Sequence, residues 1–180
     1  MKKEVKILGF AGSLRRDSYN KAVLRTAGEM IPQGTRLEVF DLASIPPFNQ
    51  DEESNPPSVV KEFKSKIKAA DAILMVTPEY NYSVSGVLKN AIDWASRPYG
   101  DNSLAGKTVA IMSASIGMLG GARAQYHLRQ MFVFLDMHPL NRPEVFVSYA
   151  AKKVYQGRVV DEDTRAVIRE LLEALVAEAR

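Results

Sequence analysis

Ala72-Ile73-Leu74-Met75-Val76-Thr77, running directly into Pro78-Glu79-Tyr80-Asn81-Tyr82-Ser83, decides the fold class. An apolar run of strand length with no polar alternation marks a strand covered on both faces, the condition of a parallel sheet between layers of helices. Thr108-Val109-Ala110-Ile111-Met112 repeats the pattern, so these two strands belong at the centre of the sheet. Outward from them, Val5 to Phe10 and the alternating Arg36 to Asp41 read as strands, and Glu144 to Val147 is a shorter fifth candidate after Pro143. Helical segments follow the strands: Asn20 to Met30, Pro57 to Ala70, Ser85 to Ser96, Gly121 to Met137 and Asp161 to Arg180. Val59, Val60, Phe63 and Ile67 give the second an apolar stripe, and Asp161, Glu162 and Asp163 suit the positive start of the last. Strand and helix in regular alternation predict an α/β architecture with right-handed crossovers. We expect one domain over residues 1–180.

Composition narrows the chemistry. The chain of 180 residues has no cysteine, which removes disulfides, thiolate metal sites and thiol nucleophiles. No apolar run approaches the ~20 residues of a membrane-crossing helix, and Met1 to Val5 enters a strand without a signal-peptide apolar region, so a cytoplasmic address and no membrane partner are expected. Net charge is +3 with 24 Lys and Arg scattered among 21 Asp and Glu. That pattern lacks the basic block of a nucleic-acid binder and suits a small anionic ligand better.

In open α/β sheets ligands bind beyond the carboxyl ends of the strands, so three loops carry the chemistry. Gly9 to Asn20 leaves the first strand and opens a helix, with Gly12 for a tight turn, Ser13 and Ser18 as hydroxyls, Asn20 as an amide and Arg15 as a planar cation. The set suits a phosphate, although Ser18 equally reads as a plain helix cap. It is neither a P-loop nor G-x-G-x-x-G. Thr77 to Gly86 places Tyr80, Tyr82 and Asn81 at a strand end, flat surfaces for a flat heteroaromatic ligand or ordinary surface aromatics. Glu79 stands without a second acid, so a glycosidase-like pair is unsupported. Ser113 to Arg123 is again strand, glycine-rich turn and helix, without the context of a nucleophile elbow. His127 and His138 read as helix-surface or helix-end residues, too few to ligate a metal. Leu42 to Pro56 is the one long irregular stretch and a candidate lid or rim.

Taken together, Gly12-Ser13-Leu14-Arg15 with Ser18 and Asn20, then Pro78-Glu79-Tyr80-Asn81 with Gly86, Lys89, Asn90, Asp93 and Trp94, then Gly117 with Gly120-Gly121, resemble the NADPH-dependent FMN reductase family, and within it the bacterial chromate and quinone reductases. The resemblance implies a flavodoxin-like three-layer sandwich with a five-stranded parallel sheet in the order 2-1-3-4-5. It implies one FMN per subunit and NADH or NADPH as co-substrate, with two electrons passed by a ping-pong mechanism to quinones, chromate or azo compounds. By the same resemblance Ser13, Arg15, Ser18, Tyr19 and Asn20 hold the FMN at its phosphate end. Pro78, Glu79, Tyr80 and Asn81 then border the isoalloxazine, and Ser115, Ile116, Gly117, Gly120 and Gly121 line its other side. No side chain is expected to act as a catalytic acid or base, because the cofactor does the redox chemistry.

Two further expectations follow. The family is dimeric or tetrameric, and the helix after the third loop is apolar nearly all round from Met131 to Leu135, so it should be buried on several sides, within its own domain or against a second subunit. A flavodoxin-type electron carrier is the main rival. Such a carrier should be acidic around its flavin, against a pI of about 9.1 here.

Overall fold

The computed structural model describes residues 4–180. Its central sheet is parallel, with β1 (Val5–Ala11) between β2 (Thr35–Val39) and β3 (Ala72–Thr77), and β6 (Thr108–Ala114) beyond β3. Register is fixed across the middle by Ile7 opposite Ala72 and Ala72 opposite Thr108. The fifth position differs from expectation. It is divided between β7 (His138–Pro139), which pairs with the start of β6, and β8 (Val145–Val147), which pairs with its end. The sheet therefore has six strands in a 2-1-3-4-5 arrangement whose last place is shared. The intervening Leu140 to Glu144 contains Pro143, which has no amide hydrogen to offer a ladder.

Two antiparallel hairpins lie off the sheet and were not expected: β4 (Glu79–Tyr80) with β5 (Ser83–Val84), and β9 (Val154–Tyr155) with β10 (Arg158–Val159). The helices are α1 (Tyr19–Glu29), α2 (Ser58–Ala69), α3 (Gly86–Ala95), α4 (Ala122–Leu135), the short α5 (Ala150–Lys153) and α6 (Glu162–Glu178).

Alternation along the strands sorts side chains into two cores. Ile73 and Met75 of β3 face α2, α3 and α4, while Ala72, Leu74 and Val76 face α1 and α6. The stripe of α2 behaves as its spacing predicts, with Val60, Phe63 and Ile67 in the core. On α4, Leu128, Phe132 and Leu135 are buried while Val133 is 84% and Phe134 79% exposed, so within one chain the helix turns one apolar face inward and another outward.

Three carboxylates are held below their usual range by bonds to the charged form. Glu38 is lowered chiefly by its hydrogen bond with Lys66, Asp101 by Lys64 and then Lys68, and Asp161 by the hydroxyl and backbone amide of Thr164 at the start of α6. A folded-state pKa below the unfolded value adds stability that is complete above the unfolded pKa and lost as pH falls through the folded one. Thermal melting is therefore expected to stay level from neutral pH down to about 5 and to drop below about pH 4. Calorimetry across that range checks it, and a melting temperature still level at pH 3 would contradict the assignment. Lys107 carries a penalty instead. Its ammonium donates to the carbonyls of Lys68 and Ala70 at the end of α2, but burial pushes its pKa down, so its charged form costs stability at neutral pH and that cost is relieved as pH rises from the folded pKa to the unfolded one.

Candidate functional site

The carboxyl ends of β1, β3, β6 and β8 meet at one edge of the sheet, and the three predicted loops leave from it. The first is drawn tight by Gly12, whose amide donates to Val76 O at 2.8 Å and whose carbonyl accepts the Ser85 hydroxyl at 2.6 Å. A Cβ at Gly12 would stand 2.7 Å from that hydroxyl oxygen and 2.9 Å from Leu88 Cβ, so only glycine lets the turn lie against the start of α3. Beyond it the backbone amides from Ser13 to Asp17, and those of Tyr19 and Asn20 at the head of α1, have no acceptor among the described residues. Unpaired amides converging on a helix start form an anion-binding concavity. Ser13 is buried beside them, and the exposed Arg15 lies with its guanidinium carbon 4.9 Å from the Tyr19 ring centre.

Two residues of this loop have structural partners, the first as its reading as a helix cap expects and the second at a distance that the sequence does not disclose. Ser18 caps α1 by accepting from Lys21 N at 3.3 Å. Asn20 is buried with its amide on the backbone of Ala114, donating to the carbonyl at 3.1 Å and accepting from the amide at 2.9 Å. Its side-chain oxygen and one amide hydrogen thus tie the first loop to the third.

The second loop is a hairpin. Pro78 is buried at its root, and Asn81 and Tyr82 make the two-residue turn at φ of 51° and 64°, the positive values that a tight hairpin of the right twist demands. Tyr80 and Tyr82 are exposed. Glu79 is not a free acid. Its carboxylate accepts from the amides of Arg123 at 3.0 Å and Ala124 at 3.4 Å and from the Arg123 guanidinium at 2.9 Å. It thereby caps α4, whose own first residues offer no side-chain cap. The Arg123 guanidinium then lies 3.8 Å from the Tyr82 ring centre, and Ser83 bonds to His127 at 2.9 Å. His127, read from sequence as a bland helix residue, is part of the hairpin's mounting.

In the third loop Ser115 Oγ accepts from Gly117 N at 3.2 Å, and Ile116 and Met118 are each 69% exposed, so their side chains are free to meet a ligand. Gly120 and Gly121 are different in kind. Both are buried at positive φ, 58° and 91°, and a Cβ would reach 2.8 Å from Phe146 C in the first and 2.7 Å from Ser113 Cβ in the second. These glycines seat the loop on the sheet, with no room for a side chain on the side that faces Phe146 and Ser113. Ser113 reinforces the seat by donating to Gly120 O at 2.6 Å and accepting from Gln125 at 2.8 Å. The segment after β8 joins this wall and was missed: Tyr149 N donates to Gly117 O at 3.1 Å and Ala150 N to Ser115 O at 2.9 Å. Nothing in the sequence near the short fifth strand signals that contact.

The stretch from Leu42 to Pro56 is a rim and not a swinging lid. Asn90 donates to Pro46 O and accepts from Phe48 N, Trp94 donates to the same Pro46 carbonyl, and Phe48 stands edge-on to the Trp94 ring at 5.0 Å. Asn90→Ala is expected to cost about 1–2 kcal/mol, since it strips the part-buried Phe48 amide of its acceptor and leaves the Pro46 carbonyl to Trp94 alone. Urea denaturation measures that loss, and limited proteolysis should then cut between residues 42 and 56; resistance equal to the parent would refute the pinning.

Comparison with known proteins bears on what this edge serves. The family model for NADPH-dependent FMN reductase matches residues 5–152. An NAD(P)H-dependent FMN reductase of Pseudomonas aeruginosa is 51% identical over 177 residues, 97% of this chain and 95% of that protein. A 2-hydroxy-1,4-benzoquinone reductase of Burkholderia sp. is 40% identical over 177 residues, 98% of this chain and 97% of its own. Among solved structures, the flavoenzyme NAD(P)H:(acceptor) oxidoreductase FerB of Paracoccus denitrificans superimposes with a TM-score of 0.89 at 32% identity, over 97% of each chain. With a flavodoxin-like sheet, an open-amide turn at its edge and likeness along nearly its whole length, the chain belongs to the NADPH-dependent FMN reductase family of oxidoreductases.

Proposed function

We propose that the cradle at the sheet edge binds one FMN and that the protein passes two electrons from NADH or NADPH through it to a quinone. The observation that carries this is the run of unpaired amides from Ser13 to Asp17, leaving the buried Gly12 and Ser13 for the exposed Leu14 to Asp17, at the edge from which the hairpin and the glycine turn also leave. The donor set fits the group: amides and a guanidinium for a phosphate, then Pro78 to Asn81 and Ser115 to Gly117 on either side for a planar ring. In this reading Ser13, Arg15 and Tyr19 meet the cofactor, while Ser18 and Asn20 hold the loop in shape. Relatives named for FMN and for a benzoquinone support the cofactor and the acceptor class.

Bound FMN would supply the hydride-accepting centre, and the chain supplies position. No proton donor is asked of Glu79, because both its oxygens are engaged by Arg123 and the head of α4. One open rim suits alternate occupation by donor and acceptor, hence ping-pong kinetics, with chromate and azo compounds as further acceptors. The outward face of α4, with Tyr126, Val133 and Phe134 exposed, supports a homodimer or homotetramer. No described helix is long and apolar enough to cross a membrane, which accords with a single FMN-binding domain working in the cytoplasm.

The deciding experiment is a visible spectrum of protein loaded with FMN and desalted, followed by anaerobic NADH or NADPH. Retained flavin that bleaches, and recolours with 1,4-benzoquinone, is the expected result. Retained flavin that does not bleach would favour an electron carrier, and flavin lost on desalting would remove the reading. Light scattering at a monomer mass would remove the oligomer.

A further inference from the structure

Tyr149 stands where the fold has no need of an aromatic side chain. Its φ is 50°, in the left-handed region where a bulky residue is strained and glycine or asparagine is not. That conformation is held on both sides, by Tyr149 N on Gly117 O at 3.1 Å and by Lys152 N on Tyr149 O at 2.8 Å. The ring itself does not enter either core and is 49% exposed. Strain retained at a residue whose side chain belongs to neither core points to a use for its exposed part at the surface. The Lys152 ammonium lies 5.8 Å from the ring centre and has no carboxylate partner among the described residues. Its neighbour Lys153 is occupied, 3.6 Å from Asp161 and 3.2 Å from Thr164.

We propose that Tyr149 and Lys152 form a recognition point for the nicotinamide dinucleotide at the edge of the flavin cradle, the ring against a planar base and the ammonium on the pyrophosphate. This rests on the function proposed above and assigns residues to one of its two substrates. The substrates differ in charge. A quinone is flat and neutral, whereas the dinucleotide is flat and carries phosphates. A tyrosine face alone serves either, but a tyrosine face with an unpaired ammonium beside it is matched to the anionic one. The position also fits, since Tyr149 N is bonded to Gly117 O and Ala150 N to Ser115 O, which puts the pair against the third loop of the cradle.

The test uses flavin-loaded full-length protein and separates the half-reactions by stopped flow. Lys152→Gln is expected to raise the half-saturating NADH concentration for flavin bleaching by about ten-fold, the loss of one good charged contact, and to weaken its dependence on added NaCl. Tyr149→Asn should raise it several-fold while melting at or above the parent temperature, because the left-handed position suits asparagine; Tyr149→Phe should match the parent. Reoxidation of dithionite-reduced flavin by neutral 1,4-benzoquinone should change less than two-fold in Lys152→Gln and Tyr149→Phe. Half-saturation unchanged in both Lys152→Gln and Tyr149→Asn would overturn the assignment, as would equal losses in the two half-reactions of Lys152→Gln. A parent protein that keeps its flavin but ignores NADH would overturn the function and this assignment together, and that result precedes any comparison of variants.

Discussion

Gly121→Ala is expected to lower the melting temperature by about 6–12 °C, on a destabilisation of about 3 kcal/mol in a domain of this size. Two costs add. The new Cβ would sit 2.7 Å from Ser113 Cβ, and the backbone holds φ of 91°, a conformation that L side chains rarely adopt. Neither neighbour can yield cheaply, since Ser113 is buried in β6 and its hydroxyl is bonded to Gly120 and Gln125. Gly117→Ala is the control, because its Cβ would meet only Ser115 Oγ at 3.7 Å. A scanning calorimetry pair in which both variants melt with the parent would show that the third loop is not seated as described.

Asn20→Ala is expected to weaken FMN retention at least ten-fold and also to destabilise the chain by about 2–4 kcal/mol, because two buried backbone groups of Ala114 lose their partners at once. Flavin binding suffers through geometry, as the tie between the first and third loops sets the spacing of the cradle's walls. Arg15→Ala separates the two effects. Arg15 is exposed, so its removal should reduce flavin affinity while leaving urea denaturation of the flavin-free protein within about 0.5 kcal/mol of the parent. Equilibrium dialysis against FMN, paired with denaturation of the flavin-free proteins, reads both quantities. Asn20→Ala with unaltered stability would mean that the Ala114 bonds contribute nothing, and Arg15→Ala with unaltered affinity would remove Arg15 from the phosphate end.

The sheet was legible because its signal is local. A strand buried on both faces must be apolar at every position, and Ala72 to Thr77 and most of Thr108 to Ala114 meet that condition. The fifth position was only half legible, since a two-residue and a three-residue strand separated by Pro143 leave no periodicity to count. Of the site, the loops were legible from their position after strands and their glycines. Roles within them were not, because those roles are set by partners distant in sequence. Glu79 looks like an acid until Arg123, 44 residues on, is placed against it, and the Asn20 side chain shows its second role only when Ala114 is found 94 residues away. For Gly120 and Gly121 the atoms that forbid a side chain likewise belong to distant residues, Phe146 and Ser113.

Trp94 is the only tryptophan of the chain. It is 1% exposed, with its indole N–H on Pro46 O and Phe48 edge-on to its ring. The protein thus carries one intrinsic fluorophore at the clasp that fastens the rim to α3. A buried indole emits at shorter wavelength than a hydrated one, so a red shift preceding the loss of helical circular dichroism would time the release of that clasp without any label.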